Sequence, residues 1–209
     1  MYKVVILILS LVCGVRVGKA VPETTVASSF QLYQELGLRG EVNFPAFEQA
    51  LKGFSRYASG QDRLLVLIDY TKPSTEKRFY ILDLLQKKLL LSTYVAHGRG
   101  SGDNYAVAFS NRPGSYQSSL GFFRTGDTYM GKNGYSLFLD GLEKGINDKA
   151  RERAIVVHGA NYADPAVLKG QQRLGRSLGC PALPPDISKQ VIDTIKGGVL
   201  LYIYGLNKA

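Results

Sequence analysis

Histidine and cysteine are scarce in this chain, two of each among 209 residues, and several recognisable signals are missing altogether. No block of five Lys/Arg occurs, and aromatic and basic residues do not interleave in a nucleic-acid motif, so nucleic acid is set aside as a partner. The glycines of HGRGSGDN, His97 to Asn104, lack the lysine of a phosphate loop and a periodic helix after it. That string reads instead as the flexible rim of a site. Internal repeats and low-complexity tracts are absent, which leaves one packed domain as the expectation. No recognisable cofactor motif remains, and no cofactor is called for.

Acidic residues are in deficit, 17 against 26 Lys and Arg, for a net charge of +9. None of them falls in residues 1–20, MYKVVILILSLVCGVRVGKA, where Lys3 precedes an apolar stretch and small residues occupy positions 18 and 20. The pattern is that of a secretory signal cut after Ala20, too short to span a bilayer as a mature helix. Lipid modification at Cys13 is the alternative, although Val12 is larger than the residue usual before such a site. Cutting after Ala20 removes Lys3, Arg16 and Lys19 and lowers the charge from +9 to +6. A basic exported protein suits an anionic surface such as an acidic wall polymer, or has a merely solvated basic face. It would carry one cysteine, Cys180, with no partner for an intramolecular disulfide.

Residues 21–27 read as a leader. A short helix then carries Phe30, Leu32, Tyr33 and Leu36, capped by Ser29 and stopped by Gly37. A second, Pro45 to Tyr57, places Phe47, Ala50, Leu51 and Phe54 at helical spacing. From Arg63 the chain changes to short apolar runs at 64–70, 78–84, 89–97, 105–110, 120–125, 135–140 and 153–159, separated by turn residues. Asp186 is placed to cap a helix bearing Val191, Ile192 and Ile195, and 199–204 forms the last strand. The expected fold is mainly β with peripheral helices, a mixed-sheet sandwich or barrel. Its expected divisions are 1–20 signal, 21–62 leader and helices, and 63–209 the strand-rich domain.

Cys180 lies in GRSLGCPALP, between Gly179 and Pro181, where neither a strand interior nor a helix fits. It therefore belongs to a turn. A lone cysteine there is either a small buried filler or a nucleophile. His97 and His158 each end an expected strand and are followed by glycine, a sensible seat for a base. A free thiol is only a few per cent ionised at neutral pH, so a catalytic one needs an activator. His158 fits that part, with Arg176 as electrostatic helper, and the N–H groups of Leu178, Gly179 and Cys180 are candidates for an oxyanion hole. A metal site using His97, His158 and Cys180 with Asp103 or Asp164 is the rival, weakened by the absence of short ligand spacing. A non-catalytic wall-binding module is the other.

The order His158, Gly159, then Ser177, Leu178, Gly179, Cys180 resembles the murein L,D-transpeptidases with a YkuD-type catalytic domain. The strings VAHGRGSGDN, AFSNRPGSYQSSLGFF, GLEKGINDKARERAIVVHGANY and GRSLGCPALP extend the resemblance over residues 64–204. It implies a nucleophilic thiol at Cys180, a base at His158, the Gly159 carbonyl orienting the imidazole, and Ser177 and Gly179 shaping an oxyanion pocket. The implied reaction is acyl transfer on a peptidoglycan stem peptide, with release of the terminal D-alanine. Leu178 stands where many members carry histidine, and His97 is the expected substitute for that imidazole. Arg173 and Arg176 are the expected contacts for the carboxylates of the stem.

Overall fold

The computed structural model describes residues 26–59 and 62–207. The expected signal peptide, the start of the leader, Cys13 and Gly60 lie outside them. Helix α1 (Val26–Glu35) begins before Ser29, so that residue does not cap it, and the turn after it contains Gly37, whose φ is +67°. Helix α2 (Phe44–Tyr57) opens from Asn43 with Pro45 in its first turn, the position where a missing N–H costs nothing.

Eight strands follow: β1 (Leu64–Asp69), β2 (Phe79–Asp83), β3 (Lys88–Thr93), β4 (Gly121–Gly131), β5 (Gly134–Gly141), β6 (Val156–Gly159), β7 (Ala182–Leu183) and β8 (Leu200–Tyr204). Helix α3 (Pro185–Ile195) lies between the last two. They form one mixed sheet in the order β3-β2-β1-β8-β4-β5-β6-β7, antiparallel except for β1 with β8 and β6 with β7. Beyond β3, Ala96 bridges to Ala182 of β7, joining the two edges into a nearly closed barrel. The protein is mainly β with peripheral helices.

The uninterrupted apolar runs of β1 and β8 have a simple cause, because both faces of this part of the sheet are covered. Leu65, Leu67, Leu200 and Tyr202 face α1 and α2, packing with Tyr33, Phe47, Leu51 and Phe54. The alternate residues Val66, Ile68, Leu201 and Ile203 face the interior, where Val191, Ile192 and Ile195 of α3 and Cys180 join them. Truncating Phe47 or Phe54 to Ala would remove about 3–5 kcal/mol.

Three expectations change. Residues 105–110 form no strand: Val107 and Ala108 donate to the Ser101 carbonyl and Ser110 to that of Ser118, so the segment folds on its own loop. Ala106 is nevertheless buried and Phe109 stacks on Tyr70, which explains the apolar pattern. The two-residue β7 was too short to stand out. Asp186 lies inside the first turn of α3 instead of capping it, with Pro184 at the cap position.

Candidate functional site

The turn carrying Cys180 is held at both ends by one segment, Ala96–Arg99. Ala182 and Ala96 exchange backbone hydrogen bonds (2.8 and 3.3 Å), the Ser177 N–H donates to His97 O (2.9 Å), and the Arg99 N–H donates to Ser177 O (2.8 Å). The first pairing is antiparallel and the second parallel, so the chain must reverse between residues 177 and 182. On its other side β7 runs parallel to β6, with His158 opposite Ala182. The sulfur of Cys180 in turn lies against the Val156 N–H of β6, two residues ahead of His158 on that strand.

Inside the turn Ser177 Oγ donates to Cys180 O (2.6 Å) and accepts from the Gly179 N–H (3.1 Å). That amide is thereby occupied, and the expected oxyanion pocket is left with Leu178 and Cys180 as its remaining donors. Gly179 has φ +129°, and a Cβ there would meet Gln117 O at 2.9 Å, so only glycine fits. Gly159 is confined too, since a Cβ would collide with Ser188 of α3.

The Cys180 sulfur accepts from the Val156 N–H and donates to Ala154 O, each at 3.5 Å. Ala154 holds its carbonyl there from a left-handed conformation, φ +51°, unusual for a residue with a side chain. Burial pushes the thiol pKa up, opposed by the Val156 N–H, by the charge of Arg153 and by the cysteine's own amide. Only 9% of the residue is exposed. The resting group is thus a protonated, largely covered thiol, less open than the sequence led us to expect.

His158 Nδ1 lies 2.9 Å from Gly159 O. A carbonyl only accepts, so the neutral ring carries its proton on Nδ1 and keeps Nε2 as the basic nitrogen. Burial holds its pKa below the ordinary histidine value, partly offset by that carbonyl, which leaves a neutral imidazole near pH 7. His97 differs. It is fully buried, accepts at Nδ1 from Arg78 Nη2 (2.8 Å), and meets Tyr70 edge to face. Burial and the Arg78 charge pull its pKa down to about 3. In this structure His97 therefore faces Arg78 and Tyr70 as a neutral, covered ring, and its expected part as a second imidazole and substrate contact would need the site to open.

Arg173 and Arg176 meet on the same carboxylate, Asp103, at 2.5 and 3.3 Å, and Arg176 also donates to Gly102 O. The two arginines expected to bind an external carboxylate thus hold an internal one, itself 76% exposed. The proposed metal ligands do not gather: among the described residues no three His, Cys, Asp or Glu side chains stand close enough to share an ion. Asp164 instead caps the 3₁₀ turn Pro165–Lys169, accepting from the Ala166 N–H.

Two site neighbours lie in strings that carried the resemblance but were given no role there. Ser118 accepts from the Gly98 N–H and donates to Gly179 O, both at 3.0 Å, bolting the loop ahead of β4 to the cysteine turn. Arg153 does the same from the other direction. The only sequence signal for Arg153 was a cation directly before the apolar run of β6.

Residues 38–204 match the model of the L,D-transpeptidase catalytic domain. The chain belongs to that family. Several solved structures of L,D-transpeptidases are similar, all distantly. One from Mycobacterium smegmatis is 13% identical over 68% of this chain and 59% of its own, with a TM-score of 0.42. An L,D-transpeptidase from Stackebrandtia nassauensis is 15% identical over 87% and 78%, TM-score 0.42. The helical cell shape determining protein Pgp2 from Campylobacter jejuni is 16% identical over 71% and 50%, TM-score 0.46. This L,D-transpeptidase domain therefore spans about half of the Campylobacter protein and less than two thirds of the M. smegmatis one. A search of curated proteins found no match. No helix among the described residues is long and apolar enough to cross a membrane.

Proposed function

We infer that the chain is a cysteine-dependent acyltransferase acting on peptidoglycan stem peptides, an L,D-transpeptidase with Cys180 as nucleophile and His158 as base. The observation that supports it best is a turn-borne thiol bonded to the Val156 N–H of the strand that carries His158 two residues further on, with Nδ1 of that histidine satisfied by Gly159 O. The proton of Cys180 passes to Nε2 of His158 as the sulfur attacks the carbonyl at the L-centre of the diamino acid. The tetrahedral intermediate collapses by breaking the C–N bond to the terminal D-alanine, whose amine takes the proton from the imidazolium. An acceptor amine then attacks the thioester, gives a proton to His158, and the thiol is restored. If water takes that place the enzyme is an L,D-carboxypeptidase.

In this reading residues 1–20 direct export to the periplasm or cell envelope, residues 21–62 form a leader and supporting helices, and the rest is the catalytic unit. The test is the intact mass after incubation with a defined tetrapeptide stem. A thioester adduct on wild type, absent from Cys180→Ser, is the expected result, and analysis of the released products identifies the acceptor. Wild type that gains no adduct, while Cys180→Ser retains the biological effect, would leave a wall-binding module as the correct description.

A further inference from the structure

Arg153 is a half-buried cation with no carboxylate partner among the described residues. Its Nη1 donates to Ser110 O (2.6 Å) and Ser119 Oγ (2.5 Å), and its Nη2 to Gln117 O (2.6 Å) and Ser115 Oγ (3.3 Å). Four neutral oxygens of one loop thus converge on one guanidinium, from residues 34 to 43 positions away in sequence. The same Nη2 would stand 3.5 Å from a Cβ built on Gly179, so the guanidinium lies against the cysteine turn itself. The next residue, Ala154, supplies the carbonyl that accepts from the thiol.

Burial lowers the Arg153 pKa, and the group that opposes this is Cys180, whose thiolate would be its counter-charge. The other titratable groups whose charge reaches Cys180 are Tyr70 after β1 and Tyr162 in the 3₁₀ turn Asn161–Ala163, while His158 stands on β6 two residues beyond the Val156 N–H that meets the sulfur. The two tyrosines are driven upward by burial and stay neutral at physiological pH. His158 is neutral until it takes a proton. Arg153 is consequently the standing positive charge at the thiol.

A cation held only by neutral acceptors keeps its field for whatever anion forms beside it, because no carboxylate has neutralised it. The fork geometry of arginine also lets one side chain grip several loop oxygens, which a lysine would not do. Resting on the reading of Cys180 as nucleophile, we propose that Arg153 is a positioning residue that seats the 110–119 loop over the cysteine turn and steadies the thiolate that forms beneath it. Covering and charge-stabilising the sulfur then become one device.

The experiment needs no peptide substrate, so its outcome separates from that of the acylation assay. Iodoacetamide alkylation of the full-length chain is followed from about pH 7 to about pH 11.5 by the mass of the Cys180 peptide, in wild type, Arg153→Lys and Arg153→Gln. Two quantities are read: the midpoint, which reports charge, and the plateau at high pH, which reports access. The expected result for Arg153→Gln is a midpoint higher by about one pH unit, a tenfold loss of thiolate below it, with a plateau several-fold above wild type. Arg153→Lys keeps the wild-type midpoint but shares the raised plateau. Unmoved midpoints in both variants overturn the proposal, as does a plateau at the wild-type value in both. Should Arg153→Gln not fold, Ser119→Ala decides, since it cuts one loop contact and leaves the charge: a raised plateau at constant midpoint sustains the device, and an unchanged plateau ends it. An adduct in the stem assay with flat alkylation data would sink this inference alone.

Discussion

The hydroxyl of Ser177 donates to the carbonyl oxygen of Cys180 across 2.6 Å while accepting from the amide between them, at Gly179. One side chain therefore closes the turn on which the sulfur sits. Replacing Ser177 with Ala leaves a buried carbonyl and a buried N–H unpartnered, at a cost of about 1–3 kcal/mol. The expected outcome is a folded protein with a lowered melting temperature and roughly tenfold slower acylation by a stem peptide. Ser177→Thr, which keeps the hydroxyl, should recover much of the rate, and an Ala variant as fast as wild type would show that the turn holds itself.

Gly179 is a sharper case because two constraints meet there. The backbone has φ +129°, and Gln117 O closes the space a side chain needs. Gly179→Ala is expected to destabilise by about 1–3 kcal/mol and to move the thiol relative to His158. Chemical denaturation gives the first effect, and the rate of adduct formation under conditions where the variant is fully folded gives the second. Equal rates there would mean that the turn tolerates the shift.

How far the sequence reached depends on the range of the interactions involved. Strands such as β1 and β8 were legible because both their faces are apolar, and α2 because Phe47, Ala50, Leu51 and Phe54 repeat at helical spacing. Segment 105–110 imitated a strand because Ala106 and Phe109 are packed while its backbone bonds serve a loop. His97 misled for a related reason: its partner Arg78 stands 19 residues earlier, and nothing local marks a histidine that will be sealed against a guanidinium. The parts of Arg153 and Ser118 were not legible because their partners come from distant segments, and only the folded chain gathers them.

If His158 is the base, its protonation sets the acid side of the activity. Its folded pKa lies below 6.5, so the neutral base persists down to pH values under that figure and is lost as pH falls through the folded value. The rate of acylation should thus be level around pH 7 and decline on the acid side, with a midpoint below 6.5. His158→Gln removes the limb along with most of the rate. A wild-type limb centred above 6.5 would assign the titration to another group.

Stability has its own acid limb, governed by His97. Its pKa is about 3 when folded and ordinary when unfolded, so the unfolded chain binds the extra proton between those values. The stabilisation is complete above about pH 6.5 and is lost as pH falls toward about 3, amounting to about 3 kcal/mol between pH 7 and pH 4. The shift at His158 acts in the same direction. Urea titrations at the two pH values in wild type and His97→Gln check this: the variant should lose much less stability on acidification, and parallel losses would clear His97 of the effect.

Arg173 and Arg176 present the remaining question, because Asp103 already occupies the place a substrate carboxylate would take. An exposed ion pair is weak and exchanges readily, so an incoming carboxylate competes with Asp103 instead of meeting a bare cation. Asp103→Asn removes the competitor and leaves Arg176 bonded to Gly102 O. If the arginines bind the stem, KM for a tetrapeptide with a free terminal carboxylate should fall by about threefold to tenfold in Asp103→Asn and rise in Arg176→Ala, with kcat little changed in both. An amidated stem would abolish the difference. Identical KM values across wild type and both variants would make this trio a surface brace for the loop after His97 and nothing more.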